Sequence, residues 1–267
     1  MDMNANYHTH TVRCHHAIGN DEAYVTSAIS AGFSILGFSD HSPWPFTDGH
    51  TSRIRMDAAE LPDYVKSVRN LQKRYKDDIR IHLGLECEYF PEYFPWLDEQ
   101  VARYRLEYLI LGNHFQGSGN EGFYYGFCQN KTDLEAYVKS CVLGMESGRY
   151  LYLAHPDLMF HSYPLFDENA MAASRDLCKA MKREGFVMEY NLQGRLNHGK
   201  HMDSLGYPAP AFWRVAAEEG CKVIVGVDSH DPKTISSTTE MDRAKVFLSG
   251  LGMDVLDTIP IPSKEDA

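Results

Sequence analysis

Histidines and carboxylates recur along this chain with spacings that suit metal ions. The first pair is His8 and His10, separated by one residue. On an extended segment, residues two apart face the same way, so both imidazoles reach a single point. Neutral imidazole is the commonest side-chain ligand for zinc-like metals and also suits iron. A lone H-x-H is more often a pair of solvated histidines, but further groups follow: His15 and His16, Asp40-His41, Glu86 with Glu88, His114, His155, Glu189, and Asp228 with His230. A catalytic zinc takes about three protein ligands plus water, so the candidates exceed the needs of one ion. Two or three ions account for them, with Glu86 or Asp228 shared. Clustered ions lower the pKa of a shared water toward neutrality and clamp the oxygens of a transferring phosphoryl group.

These groups converge only if the fold gathers distant segments. Short apolar runs predict strands over 6–9, 35–39, 79–86, 108–112, 150–154, 186–190 and 222–227. Each metal-capable group falls at the C-terminal end of one of them. Amphipathic helical patterns lie between, over 20–31, 57–76, 167–184, 210–219 and 240–249. Another runs from Thr132-Asp-Leu-Glu135, which reads as a capping box, to about Gly148. Repeated β-then-α order predicts a parallel sheet wound in right-handed units. Seven strands predict a closed or nearly closed α/β barrel, with an open doubly wound sheet as the alternative. In either fold ligands bind at the C-terminal strand ends. The long segments 42–56, 117–131 and 192–210 are expected to border such a site.

Composition agrees with a single domain spanning 1–267. The hydrophobic share of 43% supplies a large core, and no apolar run approaches a membrane span. The net charge of -11 argues against long nucleic acid and anionic membrane as partners. Six scattered cysteines without a C-x-x-C pair read as reduced thiols, and the first residues lack the basic and apolar segments of a secretory signal, so a cytoplasmic location is expected. Of the 13 histidines, His82 within a strand and His50 within a loop read as non-ligands. Glu88 and Glu189 read as acceptors that orient a ligand histidine.

Taken in order, His8-Thr-His10, His16, Ser39-Asp40-His41, Gly84-Leu-Glu86, Gly112-Asn-His114, Ala154-His155-Pro-Asp157 and Gly226-Val-Asp228-Ser-His230 resemble the motifs of the polymerase-and-histidinol-phosphatase (PHP) superfamily. The H-T-H-T start, the H-P-D-L segment and Met188-Glu-Tyr-Asn191 most resemble its free-standing histidinol-phosphate phosphatases. The resemblance implies a distorted (β/α)7 TIM-like barrel and three divalent ions, zinc, manganese or iron. It implies that His8, His10, Glu86 and Asp228 hold one ion, that Glu86, His114 and His155 hold a second, and that His16, His41 and His230 hold the third. It favours His16 over its neighbour His15. Two positions depart from the pattern: Phe160-His161 stands where relatives often carry a basic residue, and Asp228-Ser229-His230 replaces a common D-A-H.

The implied activity is hydrolysis of a small phosphate monoester, with L-histidinol phosphate as the expected substrate. Arg195 is the first candidate for the phosphate, because its guanidinium matches phosphate geometry. Lys200, Arg13, His161 and His198 are weaker candidates. Asp40, His41 and His198 are candidates to protonate the leaving alkoxide. The alternatives are a PHP phosphoesterase for nucleotides or other small esters, an amidohydrolase-type C–N hydrolase, and a metal-storage protein.

Overall fold

The computed structural model describes residues 4–197 and 203–262. Parallel strands β1 (Asn4–Asn6), β2 (Phe33–Phe38), β3 (Arg80–Cys87) and β4 (Tyr108–Leu111) pair in sequence order. β7 (Val187–Asn191), β8 (Lys222–Gly226) and β9 (Asp254–Leu256) form a second parallel set. The expected strand at 150–154 joins the two. Leu151 and Ala154 donate to β4, Leu153 donates to Val187, and only Leu153 bridges both neighbours. At the other seam Thr9 bridges Ser229, with His10 donating to Ser229 and Ser229 donating to His8. Asn6 staples this closure: its carboxamide accepts from Val227 at 2.8 Å and donates to Thr9. The carboxyl ends of seven parallel segments therefore form a ring, a distorted barrel. β9 pairs with the start of β8, at the opposite end.

Helices α1 (Asp21–Ser30), α2 (Leu61–Arg74), α3 (Phe94–Tyr104), α4 (Lys131–Glu146), α5 (Glu168–Glu184), α6 (Leu192–Asn197), α7 (Pro210–Glu218) and α8 (Thr239–Gly250) accompany the strands. Their apolar faces and the outward faces of the strands share one large core, including Leu36, Leu83, Leu111 and Trp213. A smaller apolar cluster, with Tyr7, Ile35, Tyr108, Ile110 and Tyr152, forms a second core. Tyr108 plugs it, its hydroxyl donating to Tyr7 O at 2.6 Å. A short hairpin, β5 (Phe115–Gln116) with β6 (Phe123–Tyr124), rises beyond β4.

Three local expectations change. The cap of α4 is Asn130, whose extended backbone lets its side chain accept from Asp133 N, so Thr132 sits inside the helix. α3 was not anticipated; Pro95 lies in its first turn, where a missing N–H costs nothing. α6 occupies the start of the segment expected to be irregular, and this changes where Arg195 points.

Candidate metal centre

The strand ends bring all nine expected ligands together. His8, His10 and Asp228 lie with ligand atoms within 4.8 Å of one another, as do His10, His41 and Glu86, then Glu86, His114 and His155, then His16, His41 and His230. His8, His10, His41, Glu86, His155 and Asp228 are buried. His16, not His15, joins the group. His15 takes a left-handed backbone (φ 66°), and although both residues are exposed, it is the next ring that turns in to lie 4.5 Å from His230.

Two glycines make the arrangement possible. A Cβ on Gly112 would overlap the Glu86 carboxylate, and one on Gly226 would overlap that of Glu189. His155 (φ 31°) and Asp228 (φ 53°) also adopt positive φ, a conformation that costs energy in a non-glycine residue. Such strain is characteristic of sites where side-chain direction matters more than backbone comfort.

The hydrogen bonds determine which nitrogen each ring presents. Nδ1 of His8 lies 3.0 Å from Glu189, that of His10 3.3 Å from Asp40, and that of His114 3.2 Å from Glu88. Nδ1 of His16 meets Cys14 O at 2.7 Å, and that of His230 meets Asp228 O at 3.0 Å. All five partners are carboxylates or carbonyls, which only accept, so Nδ1 carries the proton and a neutral ring offers the Nε2 lone pair. Those lone pairs converge. His10 Nε2 lies 3.0 Å from Asp228 Oδ1, His8 Nε2 3.4 Å from Glu86 Oε2, and His114 Nε2 3.4 Å from Glu86 Oε1.

Nε2 of His8, His10 and His230, Nδ1 of His41, Oε2 of Glu86 and Oδ1 of Asp228 are buried without a hydrogen-bond partner. Buried polar atoms are almost always satisfied. A cluster of orphaned lone pairs, drawn from imidazoles and carboxylates, fits divalent metal ions of the zinc, manganese or iron type.

Electrostatics points the same way. Burial opposes charge on His8, but Asp228, Glu189 and Glu86 together raise its pKa well above the ordinary value. His10 is likewise penalised by burial and raised by Asp228 and Asp40, to about 9. Burial and the neighbouring His10 push His41 well down and His230 down to about 3. Glu86 and Asp228 stay well below the carboxylate range despite burial, because histidines surround them. Without metal, the raised His8 and His10 offset part of the carboxylate charge by holding protons.

Seven of the nine, His16, His41, Glu86, His114, His155, Asp228 and His230, floor a cavity of about 510 Å³ walled by Ile54, Phe115, Tyr124, Phe127, Gln193 and Tyr207. None of these wall residues was anticipated, since aromatic residues in loops carry no spacing signal. Among the described residues that line the cavity there is no lysine or arginine.

Arg195 does not line the cavity: its guanidinium pairs with Glu240 at 3.5 Å on the surface. Gln193 faces the cavity, and two helical steps turn the chain by roughly 200°. Asp40 does not line the cavity either. It is fully buried, with Thr11, His10 and the His41 amide all on its carboxylate. Arg13 pairs with Asp21 and Asp63. His161 packs beside Tyr124 and Tyr207. His198 and Lys200 lie outside the described residues. His82 is held by Glu107 and His50 meets Asn120, both away from the cluster.

The PHP domain model matches residues 6–193, and the chain belongs to that family. A Deinococcus radiodurans protein named a probable histidinol-phosphatase is 26% identical over 230 residues, covering 84% of this chain and 85% of that one. A Schizosaccharomyces pombe protein of the same name is 23% identical over 282 residues, covering 93% and 87%. Among solved structures, the histidinol phosphate phosphatase of Lactococcus lactis, complexed with zinc, L-histidinol and phosphate, superposes with a TM-score of 0.70. It is 17% identical, with 96% of this chain and 98% of that one covered. No helix among the described residues is long and apolar enough to cross a membrane.

Proposed function

We propose that this chain is a divalent-metal-dependent phosphomonoester hydrolase whose substrate is L-histidinol phosphate. The observation that carries the reading is the set of orphaned buried lone pairs on the floor of an organic-walled cavity. The names of the full-length relatives support the substrate.

In this reading His8, His10, Glu86 and Asp228 hold one ion, Glu86, His114 and His155 a second, and His16, His41 and His230 a third. Zinc, manganese and iron all suit these donors. Bound there, the ions supply an activated water and the positive charge that phosphoryl transfer needs. The protein contributes positioning. Asp40, Glu88 and Glu189 hold the imidazoles in the ligating tautomer, which is how orienting acceptors raise metal affinity. Tyr124, Tyr207 and Phe115 offer flat faces, and the two tyrosines hydroxyls, to the organic part of the ester and displace water around it. Of the described candidates for protonating the leaving group, His41 lines the cavity and Asp40 does not. The size of the ester is limited by a cavity that fits a small molecule and not a nucleic-acid strand.

The test is phosphate release by the metal-loaded protein across a panel of small phosphomonoesters. Preferred turnover of L-histidinol phosphate is expected. Preferred turnover of a nucleotide overturns the substrate and leaves the class. Hydrolysis of amides but not phosphoesters overturns the class.

A further inference from the structure

Arg55 lies in the 42–56 segment, outside every metal-capable group, yet it is almost fully buried at 3% exposure. Its guanidinium grips Glu88, itself 1% exposed, through two parallel bonds of 2.8 and 2.9 Å. Trp44 Nε1 adds a 2.7 Å bond to the same carboxylate, and His114 Nδ1 completes the set at 3.2 Å. The rest of the guanidinium is used locally: Nε donates to Ser52 Oγ and Nη1 to Ser42 O, the residue following His41.

A buried charge pair is weak evidence for stability, since desolvation offsets most of its attraction. This pair has a directional consequence instead. A carboxylate saturated by a planar fork cannot rotate, and being an acceptor it requires the proton on His114 Nδ1. His114 must then turn its Nε2 lone pair to Glu86 and His155.

We propose that Arg55 is a positioning residue of the metal centre: acting through Glu88, it fixes the tautomer and direction of His114 and ties the 42–56 segment to that ligand. The inference rests on the reading of His114 as a metal ligand given above.

The test uses the full chain, zinc ion alone as probe, and three variants: Arg55→Met, Arg55→Lys and His114→Ala. Zinc per chain is measured in metal-buffered solution, with circular dichroism and melting temperature recorded in parallel. Arg55→Met is expected to lose the same single zinc equivalent as His114→Ala at a free-zinc level that saturates the unmodified chain. Its affinity for that ion should fall roughly 10–100-fold, and excess zinc should restore turnover with KM unchanged. Arg55→Lys keeps the charge without the fork and should fall between; it decides the matter if the methionine variant is unfolded. A lowered melting temperature with full zinc stoichiometry and affinity gives Arg55 a merely structural role and overturns the proposal. Retention of every zinc by His114→Ala overturns the underlying reading as well, which separates the two failures.

Discussion

Glu189 offers the sharpest test of the metal centre, because the change from Glu to Gln is isosteric and its consequences can be worked atom by atom. The carboxylate accepts from His8 Nδ1 at 3.0 Å, from His155 N at 3.3 Å and from Asn191 Nδ2 at 3.3 Å, all buried. Every contact is a donor pointing at an acceptor. His8 Nδ1 lies 3.0 Å from both carboxylate oxygens, whereas His155 N and Asn191 Nδ2 both meet Oε2. In Glu189→Gln an NH₂ therefore faces His8 Nδ1 at 3.0 Å whichever way the amide turns, which favours the wrong tautomer, and in one of the two orientations it faces the donors of His155 and Asn191 as well. A hydrogen bond to a charged group contributes about 1.5–3 kcal/mol, and a buried unsatisfied donor costs about 1–3 kcal/mol. At about 1.4 kcal/mol per tenfold, this corresponds to a roughly 10–100-fold loss of affinity for the ion reached by His8. Chelator-competition titration of the purified variant measures it. Glu22→Gln, at a surface pair with Arg74, serves as the control that should change nothing. A Glu189→Gln variant that binds metal within twofold of the unmodified chain refutes the reasoning that this carboxylate orients His8.

Four other outcomes are expected. His16→Ala should lower the bound metal and His15→Ala should not, as read by metal analysis after dialysis, since only His16 turns into the cluster. Metal loading near pH 7 should release protons, measured by titration calorimetry in buffers of different ionisation enthalpy. His8 and His10 are raised above their ordinary values, His10 to about 9, so both hold protons that ligation must expel. The same shifts set the sign for stability of the metal-free protein. The raised histidines stabilise it fully below pH 6.5; the contribution of His10 is lost as pH rises through about 9, and that of His8 as pH rises well above its ordinary value. The depressed Glu86 and Asp228 stabilise it above the ordinary carboxylate range, and their contribution is lost on acidification. Finally, Gly226→Ala should destabilise by about 1–3 kcal/mol in denaturant unfolding, because its Cβ must displace the Glu189 carboxylate.

What was legible in the sequence follows the range of each signal. Strand ends were legible because alternation of apolar runs with helices is a local pattern, and a parallel sheet gathers its C-terminal ends without further instruction. His8, His10, Glu86, His155 and Asp228 meet for that reason. Glu88 and Glu189 could be suspected as orienting groups, since they stand two residues beyond or within a strand end. Arg55 could not be: it reaches Glu88 from 33 residues away, across a segment with no periodicity. Arg195 falls outside the cavity lining through helix phase. Read as loop, 192–210 leaves any side chain free to face the site, whereas α6 commits Gln193 inward and Arg195 outward. The α4 cap shows the same limit at smaller scale, because Asn130 and Thr132 are both competent caps and only backbone geometry chooses.

The charge balance of the centre ties these observations together. Asp40, Glu86, Glu88, Glu189 and Asp228 are all buried around it, and Arg55 is the buried arginine that meets them, neutralising Glu88 alone. Burying the other four without compensation would be prohibitive. Two of the four, Asp40 and Glu189, are acceptors spent on orienting His10 and His8. The other two, Glu86 and Asp228, turn oxygens toward histidine nitrogens at 2.9–3.5 Å without hydrogen bonding through those oxygens. Protons on His8 and His10 can balance that charge, but they occupy the lone pairs that the five Nδ1 hydrogen bonds are arranged to expose. Divalent cations balance the charge and use the lone pairs together. The cavity above, lined by no lysine or arginine among its described residues, would then attract an anionic phosphate through the ions on its floor. An acidic chain with a net charge of -11 can bind a phosphate ester on those terms.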